Sequence, residues 1–170
     1  MSNMKETLGG RWILALALAG AVGTFPVLAA GRADAAYEKI KGLAGEWEGK
    51  APDGSPVNVR FELVSGGHTV MEHTSVGDMI TMYHLDGDRL VLTHYCEGNN
   101  QPRMRAEGLS ADGSSVQFKF LDATNLAKPA DPHMHGLTVT FKDNDHISEK
   151  WTHSAAGKEG IMDIALARKK

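Results

Sequence analysis

The feature that most constrains this chain is a strict alternation of apolar and polar residues, repeated between turn signals. Val57, Val59, Phe61 and Leu63 alternate with Asn58, Arg60 and Glu62. Val116, Phe118 and Phe120 alternate with Gln117 and Lys119, and Leu137, Val139 and Phe141 with Thr138 and Thr140. Successive side chains of a strand point to opposite faces, so each run describes a strand with one face in a core and the other in water. Turn residues separate the runs: Asp53-Gly54, Ser65-Gly66-Gly67, Gly77-Asp78, Asp86-Gly87-Asp88, Gly98-Asn99-Asn100, Ala111-Asp112-Gly113 and Asp143-Asn144-Asp145. No helical stretch between them is long enough for a parallel crossover, so the strands form an antiparallel meander.

The segments between turns predict ten strands, at roughly 46–51, 56–64, 68–76, 79–85, 89–96, 102–109, 115–121, 136–142, 146–152 and 160–168. Ten short strands in sequence order escape exposed edges by closing into a single antiparallel up-and-down β-barrel, and the expected fold class is therefore all-β. The helical candidate is a short turn from Tyr37 to Leu43, before Gly45. The connection from Asp122 to Gly136, with Pro129 and Pro132, is the one break in rhythm, and long loops are where binding features concentrate.

Residues 1–35 have a different character. Lys5 and Arg11 precede an apolar stretch from Trp12 to Leu28, followed by Ala33-Asp34-Ala35. That order of basic, apolar and small residues is the pattern of a cleaved secretory signal peptide. The alternative is a permanent anchor, since the stretch is at the lower edge of what spans a bilayer; Pro26 and the glycines at 20 and 23 argue against it. The expected mature part is one domain, residues 36–170, periplasmic or secreted, with no membrane span left after cleavage. It is long enough to bury a core without cross-links, which matters because Cys96 is the single cysteine. The chain has 18 basic and 21 acidic residues and no aromatic-basic stripe, so nucleic acid is not expected as a partner.

Leu43-Ala44-Gly45-Glu46-Trp47-Glu48-Gly49-Lys50 contains a Gly-x-Trp opening that resembles the start of lipocalins and their calycin relatives, including nitrobindin-like haem barrels and fatty-acid-binding barrels. Residues 82–96, from Met82-Tyr83-His84 through Thr93-His94-Tyr95-Cys96, and on to Gln101-Pro102-Arg103-Met104, are similar to bacterial exported lipocalin-like domains of uncharacterised function. The resemblance covers most of 38–168 and implies a barrel whose tryptophan, Trp47 beside Gly45, closes one end under a basic residue of the last strand, here Arg168. It implies no reaction. Nitrobindin-like proteins ligate haem through a histidine on the last strand; the matching ending, Met162 to Arg168, has none, which puts haem binding by that route in doubt.

All eight histidines lie beyond residue 35, and imidazole is both a common metal ligand and an acid–base group near neutrality. His84 and His94 stand on consecutive strands. A three-residue loop sets His84 opposite Leu90 and gives Ile80, Met82, His84, Leu90, Leu92 and His94 one shared face. A two-residue Asp86-Gly87 loop sets Met79 opposite His94 and puts Tyr83 on that face instead. The sequence leaves both open. In either case His94 and Cys96 share a face. His84, His94, His133 and His135 are the candidate metal ligands, the last two in the long loop. With Met79 or Met82, Met104 and Cys96 they form a nitrogen and soft-sulfur set suited to copper, or to zinc if only histidines and Cys96 take part. Core filling is the plainer role for strand methionines.

Cys96 and His94 suggest a thiol and its base, but residues two apart on a strand are held about 6.5–7 Å apart, beyond hydrogen-bond reach. No G-x-S-x-G, H-E-x-x-H, phosphate loop or EF-hand spacing is present, so the balance leans away from an enzyme. Arg103 and Arg105 share one face around Met104; facing inward they would hold a carboxylate or phosphate, facing outward they are solvated charges. The expected function is a binding module holding a small, largely apolar or amphipathic ligand, with Met82, Tyr83, His84, His94, Cys96, Arg103 and Met104 as interior candidates. The alternatives are a haem-, copper- or zinc-associated protein, a weak enzyme using His94 or His84, and a packed envelope interaction domain.

Overall fold

The computed structural model describes residues 25–170, with side chains from residue 31 onward, so most of the predicted leader lies outside the described residues. The architecture is a closed ten-stranded antiparallel barrel with strand order β1-β10-β9-β8-β7-β6-β5-β4-β3-β2. Its strands are β1 (Gly45–Lys50), β2 (Pro56–Val64), β3 (Thr69–Thr74), β4 (Met79–Asp86), β5 (Arg89–Tyr95), β6 (Gln101–Leu109), β7 (Ser115–Thr124), β8 (His133–Phe141), β9 (His146–Ala155) and β10 (Lys158–Arg168). The expected all-β barrel is therefore what forms. Alternation explains why: Val57, Val59 and Phe61 on β2, or Val116 and Phe118 on β7, are buried while their neighbours are exposed. Closure through β1 and β10 leaves no edge to template aggregation.

The predicted helical turn at Tyr37–Leu43 is a longer helix, α1 (Phe25–Lys41). It begins inside the segment read as leader. Ala33, Ala36, Tyr37 and Ile40 fall at helical spacing and are all buried, so one stripe of α1 packs against the barrel, chiefly against β4, β5 and β6. The alanine-rich stretch has high helix propensity, and its apolar character, attributed to targeting, concealed that stripe. Helix α1 covers the barrel end at which β1 starts and β10 finishes; the end carrying the β3–β4, β5–β6 and β9–β10 turns is uncovered by it.

Two further expectations are corrected. The β4–β5 loop is Gly87-Asp88, with Asp86 paired to Arg89 and Thr81 to His94. Gly87 has φ 61, the left-handed conformation that glycine supplies at the first position of a tight hairpin loop. Neither register considered from sequence is the observed one, though the face is that of the two-residue alternative. The long connection is shorter than expected, because β7 extends to Thr124 and β8 begins at His133. His133 and His135 thus belong to a strand, at a register shift between Met134 and Gly136, and polar residues there masked its alternation.

Candidate functional site

The barrel interior is apolar around its middle, where Leu90, Leu92, Met104, Phe118, Leu137, Ile147 and Leu166 are buried. Toward the end away from α1 the inward positions become polar. On β9 the alternating series Ile147, Glu149, Trp151 sets a carboxylate on the inner face, and on β3 the series Val70, Glu72 does the same. Both glutamates are 2% exposed. Glu72 accepts a short hydrogen bond from the Tyr83 hydroxyl, and Glu149 accepts one from Trp151 Nε1 at 3.3 Å. Thr81 Oγ1 lies 3.0 Å from Nδ1 of buried His94, whose ring sits 4.9 Å from that of Trp151.

Among the described residues, two atoms of this cluster have no partner: Nε2 of His94 and Oε1 of Glu149. Buried polar atoms are nearly always hydrogen-bonded, because an unmet one costs about 1–3 kcal/mol. Both residues line one cleft, together with Trp151 and the half-buried Met79, Met134 and Met162. Its room is about 10 Å³, the space of roughly one water. Larger hollows of about 560, 530 and 480 Å³ are solvent-open and lie elsewhere on the molecule.

The electrostatics of the cluster follow from burial. Desolvation first, and then the Glu149 charge, hold the Glu72 carboxyl well above the usual carboxylate range, with the Tyr83 hydrogen bond opposing them. Desolvation pushes Glu149 up to about 7, against the stabilising Trp151 hydrogen bond. Burial brings His94 down to about 4, so its imidazole is neutral at physiological pH. Among the described residues no lysine or arginine is buried, so nothing in the fold answers a carboxylate charge here.

The residues singled out from sequence separate into groups. Tyr83, His94 and Met104 point inward and are buried. Met82 and His84 occupy the alternate, outer positions of β4, because the observed register puts Thr81 and Tyr83 inside. Arg103 and Arg105 are exposed, and Arg103 pairs with Asp122, so among the described residues no interior arginine awaits an anionic head group. Cys96, partly buried at the end of β5, is not among the residues lining the cleft. The four candidate metal histidines do not converge: His84 is outside, His94 inside, and His133 and His135 form a separate pair. In that pair His133 Nε2 lies 3.1 Å from His135 Nδ1, His133 Nδ1 lies 2.7 Å from the Asp131 carbonyl, and both rings pack on Phe120 at 4.8 Å. Among the described residues no three His, Cys, Asp or Glu side chains are grouped to hold a metal.

At the other end, Arg168 places its guanidinium 4.3 Å over the Trp47 ring and donates to the carbonyls of Gly42 at 2.9 Å and Ala44 at 2.8 Å. Trp47 Nε1 donates to the Leu43 carbonyl at 2.7 Å. Gly45 has φ 132, a backbone conformation that side chains rarely adopt, and a Cβ there would stand 2.9 Å from Arg168 Nη1, so a substitution strains the backbone and displaces that guanidinium. This arrangement ties the turn between α1 and β1 to the last strand.

Sequence reasoning missed Glu72, Thr81, Glu149 and Trp151. The signal was available: an acid at an inward position of an otherwise apolar alternation, as in Ile147-Ser148-Glu149-Lys150-Trp151, is costly and asks for a reason.

No family model matches the chain, and no curated protein matches it in sequence. Among solved structures it is similar to a protein of unknown function from the DUF3598 family of Nostoc punctiforme PCC 73102, with a TM-score of 0.51 and 12% identity. The match covers 76% of this chain and 49% of that protein, so the chain spans about half its length. At that identity the likeness concerns the barrel fold alone.

Proposed function

We propose that the protein is an exported binding barrel that admits a small guest through the end left uncovered by α1. The observation that carries this is the pair of unpartnered atoms, His94 Nε2 and Glu149 Oε1, on one cleft. Folding tolerates such a pair at a cost, and a guest that meets both recovers it. The guest is small, because the cleft as it stands has room for about one water. An amphipathic molecule fits only by putting its polar head at His94 and Glu149 and its apolar part between the methionines, whose flexible thioether chains can part for it. A fatty-acid-type carboxylate is disfavoured by the buried glutamates and the outward arginines.

The test is a nuclear magnetic resonance titration with 1-butanol and with butylammonium as neutral and cationic probes. The Trp151 indole and the methyl groups of Met79, Met134 and Met162 should shift, while the Trp47 indole does not. Absence of any shift at the open end with either probe removes the proposal. Export is tested separately, by finding the protein outside the cytoplasm with residues of the leader removed.

A further inference from the structure

We infer that the guest of the open-end cleft is a soft monovalent d10 cation, copper(I) or its analogue silver(I), held by the thioethers of Met79, Met134 and Met162 and by Nε2 of His94. This rests on reading that cleft as a binding site and names the chemistry of what binds. The first ground is size. A space of about one water takes a bare ion as it stands, whereas an organic molecule of several heavy atoms needs the methionines to part first.

The second is the donor set. Three methionines from β4, β8 and β10 line one cleft with a single imidazole nitrogen that no other described residue engages. Thioether sulfur is a soft, neutral donor that prefers copper(I) and offers little to zinc, calcium or magnesium. His94 is arranged as metal-binding imidazoles usually are: Nδ1 lies 3.0 Å from Thr81 Oγ1, and with Nδ1 donating its proton to that oxygen, Nε2 presents its lone pair to the cleft.

The third is charge. The buried carboxyls of Glu72 and Glu149 line the same cleft, and among the described residues no lysine or arginine is buried to answer them, so a small cation is the complementary guest. A divalent ion wants several hard donors at once; Glu72 is engaged by Tyr83 and Glu149 by Trp151, and among the described residues no three His, Cys, Asp or Glu side chains are grouped to hold a metal. The His133–His135 pair lacks sulfur and is a separate feature.

The experiment uses protein purified after expression of the full chain with Cys96→Ser, which removes a competing thiol outside the cleft. Silver nitrate is titrated in chloride-free buffer and followed by native mass spectrometry and by the methionine methyl resonances. One silver ion per chain is expected, with the methyls of Met79, Met134 and Met162 shifted and those of Met71, Met82 and Met104 in place. The volume-conserving Met134→Leu/Met162→Leu variant should lose the ion, and His133→Gln/His135→Gln should keep it. Silver that fails to bind, that stays bound to the first variant, or that shifts other methyls overturns the inference, as does an equal response to zinc. If the leucine variant misfolds, the methyl pattern of the parent decides alone. If silver fails while 1-butanol shifts Trp151, the guest is neutral and the binding barrel stands; if both fail, both readings fall.

Discussion

Tyr83 donates its hydroxyl proton to the carboxylate of Glu72, and both side chains are buried against the barrel interior. The pair spans β3 and β4 and sets the polar floor beneath the cleft. Tyr83→Phe leaves the carboxyl buried with one partner fewer and should destabilise the barrel by about 1–3 kcal/mol. Urea unfolding of the variant measures this, and a midpoint unchanged from the parent contradicts the assigned contact.

The buried acids predict how stability depends on pH. Glu149 titrates near 7 in the fold and near its ordinary value unfolded, so between those values the folded state holds the extra proton. That stability is fully present at low pH and is lost as pH rises through about 7, with Glu72 acting in the same direction. His94 has the opposite sign: its folded value near 4 lies below the ordinary 6.5, so its burial destabilises the fold as pH falls below 6.5. The two oppose each other between pH 4.5 and 6.5, and above 6.5 only the acids act. Unfolding free energy should therefore fall between pH 6.5 and 8, and Glu149→Gln should flatten that fall.

Arg168 grips the end of α1 through two carbonyls while covering Trp47. Arg168→Ala should cost about 2–3 kcal/mol, and Arg168→Lys should recover only part of it, since an ammonium cannot reproduce the planar fork. Chemical denaturation of both variants checks the order; equal stability of Lys and Ala would show that the fork geometry is irrelevant.

Removal of residues 1–35 severs α1 before Ala36. It deletes buried Ala33 and the hydrogen bond from Arg32 to the Leu109 carbonyl at 2.9 Å, but leaves Ala36, Tyr37, Ile40 and Leu43 in place. A chain starting at Ala36 should fold and be less stable than one starting at Gly31 by about 1–2 kcal/mol. Calorimetry on the two chains measures the difference, and a chain from Ala36 that fails to fold would show that the first half of the helix is indispensable.

Much of the barrel was legible because alternation is a local property: Val57-x-Val59-x-Phe61 and Leu137-x-Val139 each announce a strand without knowledge of its neighbours. Register was not, because it depends on where a loop places its turn. Choosing Gly87-Asp88 over Asp86-Gly87 moved the partner of His94 from Met79 to Thr81. The helix was obscured by a competing explanation for the same alanines and leucines. The cleft was least visible of all, since it is assembled from six strands, and no spacing in the sequence ties Met79 to Met134 or Met162, or Glu72 to Glu149.

The contact between Arg168 and the Gly42 carbonyl joins residues 126 positions apart, and β1 pairs with β10 beside it. During synthesis β10 and Arg168 must leave the ribosome before either can form. Until then β1 and β9 present bare edges, and the nascent sheet is an open ribbon with its apolar face accessible. Topology of this kind makes folding slow and leaves a vulnerable interval before closure. A chain that stops within β10, before the residues Ala165 to Arg168 that pair with β1, should thus leave a product destined for chaperone or protease instead of a slightly loosened barrel.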